Sequence, residues 1–209
     1  MNQTLPKRQK WLEKALQGLA FWMGHRHSLF GGYPLTEGAL VAEACNLIQA
    51  NLPHYLILLP ECMYRNLVPQ GIQINKGLSR ADLVLCDEAA KSIGREGNVS
   101  RYVQFVIEVK RGSAPNSEIN SDLLRLHNYL ANTQNGARAF LFVVSENSVP
   151  SRFVKNGKSW LGSHKIPQCN GNYRVRRTVK AAASFSGHKR AQYVCLIEVF
   201  LEGQKTGKI

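Results

Sequence analysis

The chain has 209 residues, enough for one well-buried domain, and it carries 27 Lys and Arg residues against 14 Asp and Glu. No stretch approaches the roughly 18 uncharged apolar residues of a membrane-spanning helix, and Lys14 interrupts the apolar residues near the amino terminus, so neither a membrane protein nor an exported one is expected. The five cysteines include no CxxC pair, which favours reduced thiols in a cytoplasmic protein.

The expected elements alternate between helices and strands. Periodicity and capping signals predict helices at about 7–24, 36–52 (capped by Thr36) and 117–133. Strands are predicted at about 55–59, which can resume through 63, and at about 81–86, 103–110, 137–147 and 192–201. Between Pro150 and the last strand the pattern weakens into a basic, glycine-containing stretch. The order indicates a single α/β domain over 1–209, with a mixed central sheet flanked by helices and a basic extension at about 151–209.

The positive charge is concentrated in that extension. Residues 1–150 hold 15 basic and 12 acidic side chains, whereas residues 151–209 hold 12 basic and two acidic ones. This asymmetry indicates a polyanionic partner, most simply nucleic acid. The alternative is a basic surface that only keeps the protein in solution.

Two local motifs do not support nucleotide or acyl chemistry. The GKS of NGKSW lacks the earlier glycine of a phosphate-binding loop, because Arg152 occupies that position. The GLSRA segment lacks the final glycine of a nucleophile elbow.

The third strand ends in two charged residues that require an explanation. In FVIEVKR the apolar side chains alternate toward one face, while Glu108 and Lys110 share the other. The aliphatic content indicates a strand buried on much of both faces, where charges are costly unless they are paired, hydrated or bound to metal.

Asp82 is a second carboxylate in an apolar strand, ADLVLC. If the two strands are neighbours, Asp82 and Glu108 converge, and such carboxylates repel unless a cation joins them. Magnesium favours one or two carboxylates with water and phosphate oxygens, and a nearby lysine can orient or deprotonate a metal-bound water. The alternative is a solvated strand end at Glu108 and a turn cap at Asp82.

Together, GLSRADLVL, FVIEVKR and the leucine-rich helix that follows resemble the PD-(D/E)XK nuclease superfamily, which includes restriction endonucleases, Holliday-junction resolvases and many repair and defence nucleases. The resemblance covers roughly residues 36–145, although Ala81 stands where the namesake motif has proline. It implies a restriction-endonuclease-like fold and hydrolysis of phosphodiester bonds in DNA with Mg²⁺, for which Mn²⁺ can substitute.

The resemblance also implies roles for individual residues. The implied catalytic residues are Glu43, Asp82, Glu108 and Lys110. Asp82 and Glu108 would bind the metal, with the Val109 carbonyl as an extra ligand, and Lys110 would act on the attacking water. Glu43 would match the helix glutamate that often completes the site, and Glu37, on the same helix, is the alternative.

The basic extension is expected to clamp the nucleic acid over this site. Its candidate residues are Arg174, Arg176, Arg177, Lys180, Lys189 and Arg190. In an extended NYRVRRTVK segment, Arg174 and Arg176 share a face and Val175 points to the core, and arginine forks suit phosphate oxygens. On the helix after the third strand, Arg125 and Tyr129 either approach a phosphate or are a solvated arginine and a packed tyrosine.

The same residues also bear on whether the protein is catalytic and on its oligomeric state. The rival function is a nucleic-acid-binding module that has lost catalysis on the same fold. Cutting both strands of a duplex is simplest with two sites related by a twofold axis, which a homodimer would provide, but the sequence itself does not show one.

Overall fold

The computed structural model describes residues 9–30, 35–74, 78–94, 96–182 and 191–203. Its helices are α1 (Lys10–Phe30), α2 (Glu37–Asn51) and α3 (Asn116–Ala131), with short 3₁₀ helices at Tyr64–Asn66 and Glu88–Ser92. Its strands are β1 (Leu56–Met63), β2 (Arg80–Asp87), β3 (Val103–Arg111), β4 (Arg138–Ser145), β5 (Val154–Lys155), β6 (Lys158–Ser159), β7 (His164–Lys165), β8 (Asn172–Ala182) and β9 (Ala191–Phe200). Within these ranges, no helix has both the length and the apolar character needed to cross a membrane.

Seven of these strands form one mixed sheet in the order β1-β2-β3-β4-β9-β8-β7, and β5 pairs with β6 as a separate hairpin. Strands β3 and β4 are parallel and are joined by α3, whereas the other neighbours in the sheet are antiparallel. A parallel pair needs a long crossover, which α3 provides. The expected α/β architecture with a mixed central sheet and flanking helices is confirmed.

The sheet buries both of its faces. We call the side covered by α1 and α2 the α1 face and the opposite side the α3 face. Buried residues of the α1 face include Leu12, Leu40, Ile107, Phe140 and Leu196. Buried residues of the α3 face include Val84, Val106, Leu123, Leu126 and Cys195. Because side chains alternate along each strand, β3 contributes Ile107 to one core and Val106 to the other.

The two amino-terminal helices agree with the sequence prediction except at the end of α1. Thr36 caps α2 as predicted, and its Oγ1 accepts a hydrogen bond of 3.2 Å from the Ala39 N–H. Helix α1 continues to Phe30, past the predicted end at Gly24, whereas the predicted start at residue 7 lies outside the described residues. One glycine without a following proline weakens a helix but does not stop it, and Gly24 is buried against the core.

The carboxy-terminal region is part of the sheet rather than an extension beside it. Strand β9 pairs with β4 from Ala139–Val199 to Ser145–Tyr193, and β8 pairs with β9 along its length. Helix α1, which lies outside the sequence resemblance, packs on both of these strands. The described elements from α1 to β9 therefore pack into the same two hydrophobic cores, one on each face of the sheet.

Candidate active site

Asp82 and Glu108 lie opposite each other on neighbouring strands. Strands β2 and β3 are antiparallel with Leu83 paired to Ile107 and Val84 to Val106, so Asp82 and Glu108 are next in register at the end of this ladder. The regular pairing ends at Leu83, and beyond it the Val109 N–H donates a hydrogen bond of 2.7 Å to Asp82 Oδ2. The strands thus bring together the two carboxylates that the sequence predicts to converge.

Glu108 is an almost fully buried carboxyl group, with 2% of its surface exposed. Its Oε1 accepts hydrogen bonds from the Tyr64 hydroxyl at 2.7 Å and from Arg125 Nε at 3.2 Å. Burial, and secondarily the charge of Asp82, raise the pKa of Glu108 from 4.5 to about 8. At neutral pH Glu108 is therefore largely protonated.

Asp82, whose charge contributes to the raised pKa of Glu108, is itself half-buried. Burial raises its pKa, while hydrogen bonds from the Val109 N–H and from Glu108 oppose that rise. Burial thus raises the pKa of both carboxyl groups, and the charge of Asp82 raises that of Glu108 further.

Lys110 lies between α2 and α3 at the end of β3. Its Nζ is 2.9 Å from Glu37 Oε1, 3.5 Å from Asp122 Oδ2 and 3.9 Å from Glu118 Oε2. Burial acts to lower the pKa of Lys110, but the hydrogen bond to Glu37 and the charges of Asp122 and Glu37 raise it above its ordinary value. The ammonium group is therefore fixed in its charged form.

Arg125 and Asp122 complete the group from α3. Arg125 bonds Glu108 through Nε and Asp122 through Nη2, and burial raises the pKa of Asp122 to about 6 against the opposing charges of Arg125 and Lys110. The charged cluster comprises Glu37, Asp82, Glu108, Lys110, Glu118, Asp122 and Arg125. It holds five carboxyl groups and two cations, so an acidic site lies within a basic chain.

The helix carboxylate at this site is Glu37 and not Glu43, the residue preferred from sequence. Glu37 lies on the side of α2 that continues through Val41 and Cys45 to the cleft beside Asp82. Glu43 is six residues further, about 120° away around the helix. It lies one turn before Leu47, whose side chain packs at Gly18 of α1.

Glu61 faces the same cleft from β1. It interrupts the β1–β2 pairing between Pro60–Leu83 and Cys62–Ala81, and its φ of 55° is in the left-handed region. A non-glycine residue there carries backbone strain of about 1 kcal/mol or more. The cleft beside Asp82 has a volume of about 430 Å³ and is lined by α2, Pro60, Glu61 and Asp82.

The predicted clamp residues do not lie together over this site. Arg174 and Arg176 do share a face, and Val175 is buried as predicted, but both arginines contact Glu198 on the α1 face. Arg177 bonds Glu13 of α1 at 2.9 Å. These three arginines are thus on the side of the sheet opposite Asp82 and Glu108, since α1 covers that side.

Of the other three predicted clamp residues, the structure describes Lys180. Lys180 is exposed, two residues after Thr178, whose hydroxyl bonds Ser159 of the β5–β6 hairpin. It therefore lies toward the α3 face. Lys189 and Arg190 lie outside the described residues.

Sequence reasoning missed Asp122 and Tyr64. Asp122 had a detectable signal, because it occupies the buried stripe of α3 between Ile119 and Leu126. Tyr64 is fully buried and follows β1 in a 3₁₀ helix. Burial and the neighbouring Glu108 raise its pKa well above 10, so it is a neutral donor. Tyr129 is a packed tyrosine against Tyr64, and Arg125 is an ion-paired residue rather than a solvated one.

The site fits a cation held by two carboxylates and water. Among the described residues, no group of three or more His, Cys, Asp or Glu side chains is arranged to hold a metal ion. Magnesium requires fewer protein ligands, commonly one or two carboxylates with several waters. A cation beside Asp82 and Glu108 would offset the repulsion between them, and the Val109 backbone adjoins Asp82.

Comparison with known proteins identifies no relative. No family model, no curated protein and no solved structure matches the chain. The molecule is thus defined by its fold and site alone, as an α/β protein with a buried cluster of carboxylates and one lysine at the end of a central strand.

Proposed function

We propose that the protein is a Mg²⁺-dependent endonuclease that hydrolyses phosphodiester bonds in DNA, on a restriction-endonuclease-like fold. The observation that carries the proposal is the Asp82–Glu108 pair, two carboxyl groups at the end of neighbouring strands in an apolar sheet, beside an open cleft. A stable core does not need this arrangement, because taking charged groups out of water costs free energy that their pairing often does not recover. The order α2, β1, β2, β3, α3, β4 fills the region of the sequence resemblance and supports the same reading.

In this proposal Asp82 and Glu108 hold the metal, and the metal supplies a polarised phosphate and an acidified water. Lys110, already charged, donates hydrogen bonds to that water or to a phosphate oxygen, so it orients the nucleophile rather than deprotonating it. Glu37 holds Lys110 from α2 at 2.9 Å and acts as a positioning residue. Arg125 and Tyr64 fix the Glu108 carboxyl through hydrogen bonds to Oε1, in the orientation in which it would hold a metal together with Asp82.

The DNA backbone is proposed to lie along the α3 face. The exposed Lys155, Lys158 and Lys180 lie on and beside the β5–β6 hairpin, which packs on that face through Phe153 and Val154. Each lysine can neutralise one phosphate without reading a base. In this proposal the lysines of the basic region contact DNA phosphates on the side of the sheet where Glu108 lies.

The second candidate function is a nucleic-acid-binding module without catalysis. The contacts of Lys110 with three carboxylates and of Arg125 with Glu108 favour it, because a saturated ion-pair network also stabilises a fold without any reaction. The two functions differ in whether DNA is cut and not in whether it is bound.

Incubation with DNA distinguishes them. Supercoiled plasmid, single strands and a four-way junction are each incubated with the protein in Mg²⁺ or in EDTA. The nuclease proposal expects cleavage in Mg²⁺ that stops in EDTA and in Glu108→Gln, and that persists in the matched control Glu43→Gln. Binding of these DNAs without cleavage of any of them in Mg²⁺ or Mn²⁺ would instead establish the binding module.

A further inference from the structure

The α1 face carries a second charged group, built around Glu198 of β9. Glu198 is 2% exposed and is contacted by three arginines from two neighbouring strands. Arg138 of β4 donates to Oε1 through Nε at 2.9 Å and through Nη2 at 2.7 Å. Arg176 of β8 contacts Oε2 through Nε and Nη2, and Arg174 Nε lies 3.4 Å from the same oxygen.

The carboxylate cannot satisfy all three guanidinium groups. An ionised carboxylate accepts about four hydrogen bonds through its two oxygens, and Arg138 and Arg176 together direct four N–H groups at it. Arg174 Nε is buried and, in the part of the chain that the structure describes, makes no hydrogen bond. Arg174 therefore interacts with Glu198 by charge alone, at 3.4 Å, and this carboxylate has no free lone pair for the hydrogen-bond donors of Arg174.

The charge of the group favours the binding of an anion. Three guanidinium groups and one carboxylate carry a formal charge of +2 in a partly buried location, where like charges repel more strongly than in water. Burial lowers the pKa of Arg176; Glu198 opposes this shift, while Arg174 and Arg138 add to it. An anion that binds beside Glu198 reduces this repulsion.

Two of the arginines are also held against neighbouring aromatic rings. The Arg138 guanidinium lies over the Phe140 ring, 5.0 Å from its centroid, and that of Arg174 lies over Phe200 at 4.9 Å. Arg174 keeps 28% of its side chain exposed, so its outer edge is accessible to a ligand. A planar guanidinium whose direction is fixed presents paired N–H donors to two oxygens of one phosphate.

We propose that Arg138, Arg174 and Arg176 form a phosphate-binding site on the α1 face, with Glu198 as the buried carboxylate that orients them. The site is separate from the charged cluster. Arg138 pairs with Phe105 at the start of the β3–β4 ladder, whereas Glu108 pairs with Leu141 further along and faces the opposite side. The ligand is therefore not the phosphate at Asp82 and Glu108, and the inference does not rest on the proposed nuclease activity.

A phosphate here belongs either to a small molecule or to a nucleic-acid backbone, and both have the same tetrahedral oxyanion chemistry. The probes are pyrophosphate for the first source and a short blunt DNA duplex for the second, each in EDTA so that no cleavage occurs. Affinities are measured with the full chain by calorimetry, at constant ionic strength with chloride as the balancing anion.

The variant is Arg174→Gln, which keeps the Glu198 contacts of Arg138 and Arg176 and so preserves the fold. Its matched control is Arg177→Gln, a neighbouring arginine on the same face that pairs with Glu13 instead. We expect saturable pyrophosphate binding that is roughly tenfold weaker in Arg174→Gln, as expected for loss of one charge-assisted hydrogen-bonding group, and unchanged in Arg177→Gln. Arg174→Lys keeps the charge without the fork and should fall between parent and Arg174→Gln.

Binding of the DNA duplex distinguishes the two sources of the phosphate. Weaker duplex binding in Arg174→Gln alone, with competition by pyrophosphate, identifies the nucleic-acid backbone. Unchanged duplex binding with lost pyrophosphate binding identifies a small phosphate compound. The inference is overturned if pyrophosphate does not bind, or if Arg174→Gln and Arg177→Gln weaken it equally, because the effect is then that of net charge alone.

Discussion

Glu37 and Lys110 form an ion pair of 2.9 Å that connects helix α2 to the strand carrying Glu108. The pair fixes the ammonium group beside two further carboxylates of α3, Glu118 and Asp122. The position of a candidate catalytic lysine is thus determined jointly by the helices on either side of the sheet end.

We expect Glu37→Gln to slow Mg²⁺-dependent cleavage by roughly tenfold to a hundredfold, because Lys110 loses the partner that holds it in place. Stability should change by no more than about 1 kcal/mol, since Glu37 is 41% exposed and such pairs contribute little. Rates and thermal midpoints are compared with Glu43→Gln, which removes a carboxylate from another side of the same helix. Equal rates in the two variants would contradict the assignment of Glu37.

Asp82→Asn and Glu108→Gln should each abolish cleavage and leave the fold intact. The amides keep the shape of the carboxyl groups, and the side-chain amide introduced by Glu108→Gln retains an oxygen to accept from Tyr64 and Arg125, whereas alanine would leave both donors unsatisfied. Cleavage is followed on supercoiled plasmid, and folding by circular dichroism. Retained Mg²⁺-dependent cutting in either variant would remove that residue from the site.

The stability of the metal-free protein should fall as pH rises from about 4.5 to 8. The folded-state pKa of Glu108 is raised from 4.5 to about 8, so its stabilising contribution is complete below 4.5 and is lost as pH rises through 8. Asp122, with a pKa raised to about 6, acts in the same direction. Thermal midpoints in EDTA test this, and each 1 kcal/mol corresponds to roughly 2–4 °C.

The control for this pH dependence is Glu108→Gln, whose midpoint should vary less between pH 5 and 8. Addition of Mg²⁺ to the parent should restore stability at pH 8 more than at pH 5, because the cation binds ionised carboxylates and competes with protons for them. A parent and a variant with parallel pH profiles would show that Glu108 titrates normally.

Lys110→Ala should lower the cleavage rate by about a hundredfold or more and leave DNA binding in place, in line with the loss of a group that orients the nucleophile. Lys110→Arg keeps the charge but not the shape of the ammonium group and should rescue only part of the rate. Single-turnover cleavage and EDTA binding titrations separate the two effects. A rate within a factor of a few of the parent would assign Lys110 a structural role.

The strands of the site were predictable from sequence because β3 and β2 are buried on both faces. In such strands a charged residue stands out against aliphatic neighbours, as Asp82, Glu108 and Lys110 do in ADLVLC and FVIEVKR. The choice between Glu37 and Glu43 was not predictable in the same way. Both lie on one helix, and only the rotation of α2 about its axis against β3 decides which one reaches Lys110.

The carboxy-terminal strands were harder to recognise for two physical reasons. The turn of the β5–β6 hairpin is Asn156-Gly157, and both residues have positive φ. This typical two-residue hairpin signal overlaps the GKS of NGKSW, which resembles part of a phosphate-binding loop. In β8 the pairing shifts between Val175 and Arg177, so the polar and apolar positions do not alternate regularly. The charged side chains of β8 therefore hide its strand pattern in the sequence, although pairing with β9 stabilises it as a strand.

The position of β9 has a consequence for biosynthesis. Strand β9 is the last described strand to leave the ribosome, yet it lies inside the sheet, between β4 and β8. Until it arrives, the nascent chain holds β4 with an open apolar edge, which is a template for pairing with other chains. A chain stopped after residue 190 should therefore accumulate as aggregate, whereas one stopped after residue 203 should fold, and the soluble fraction of each after expression measures the difference.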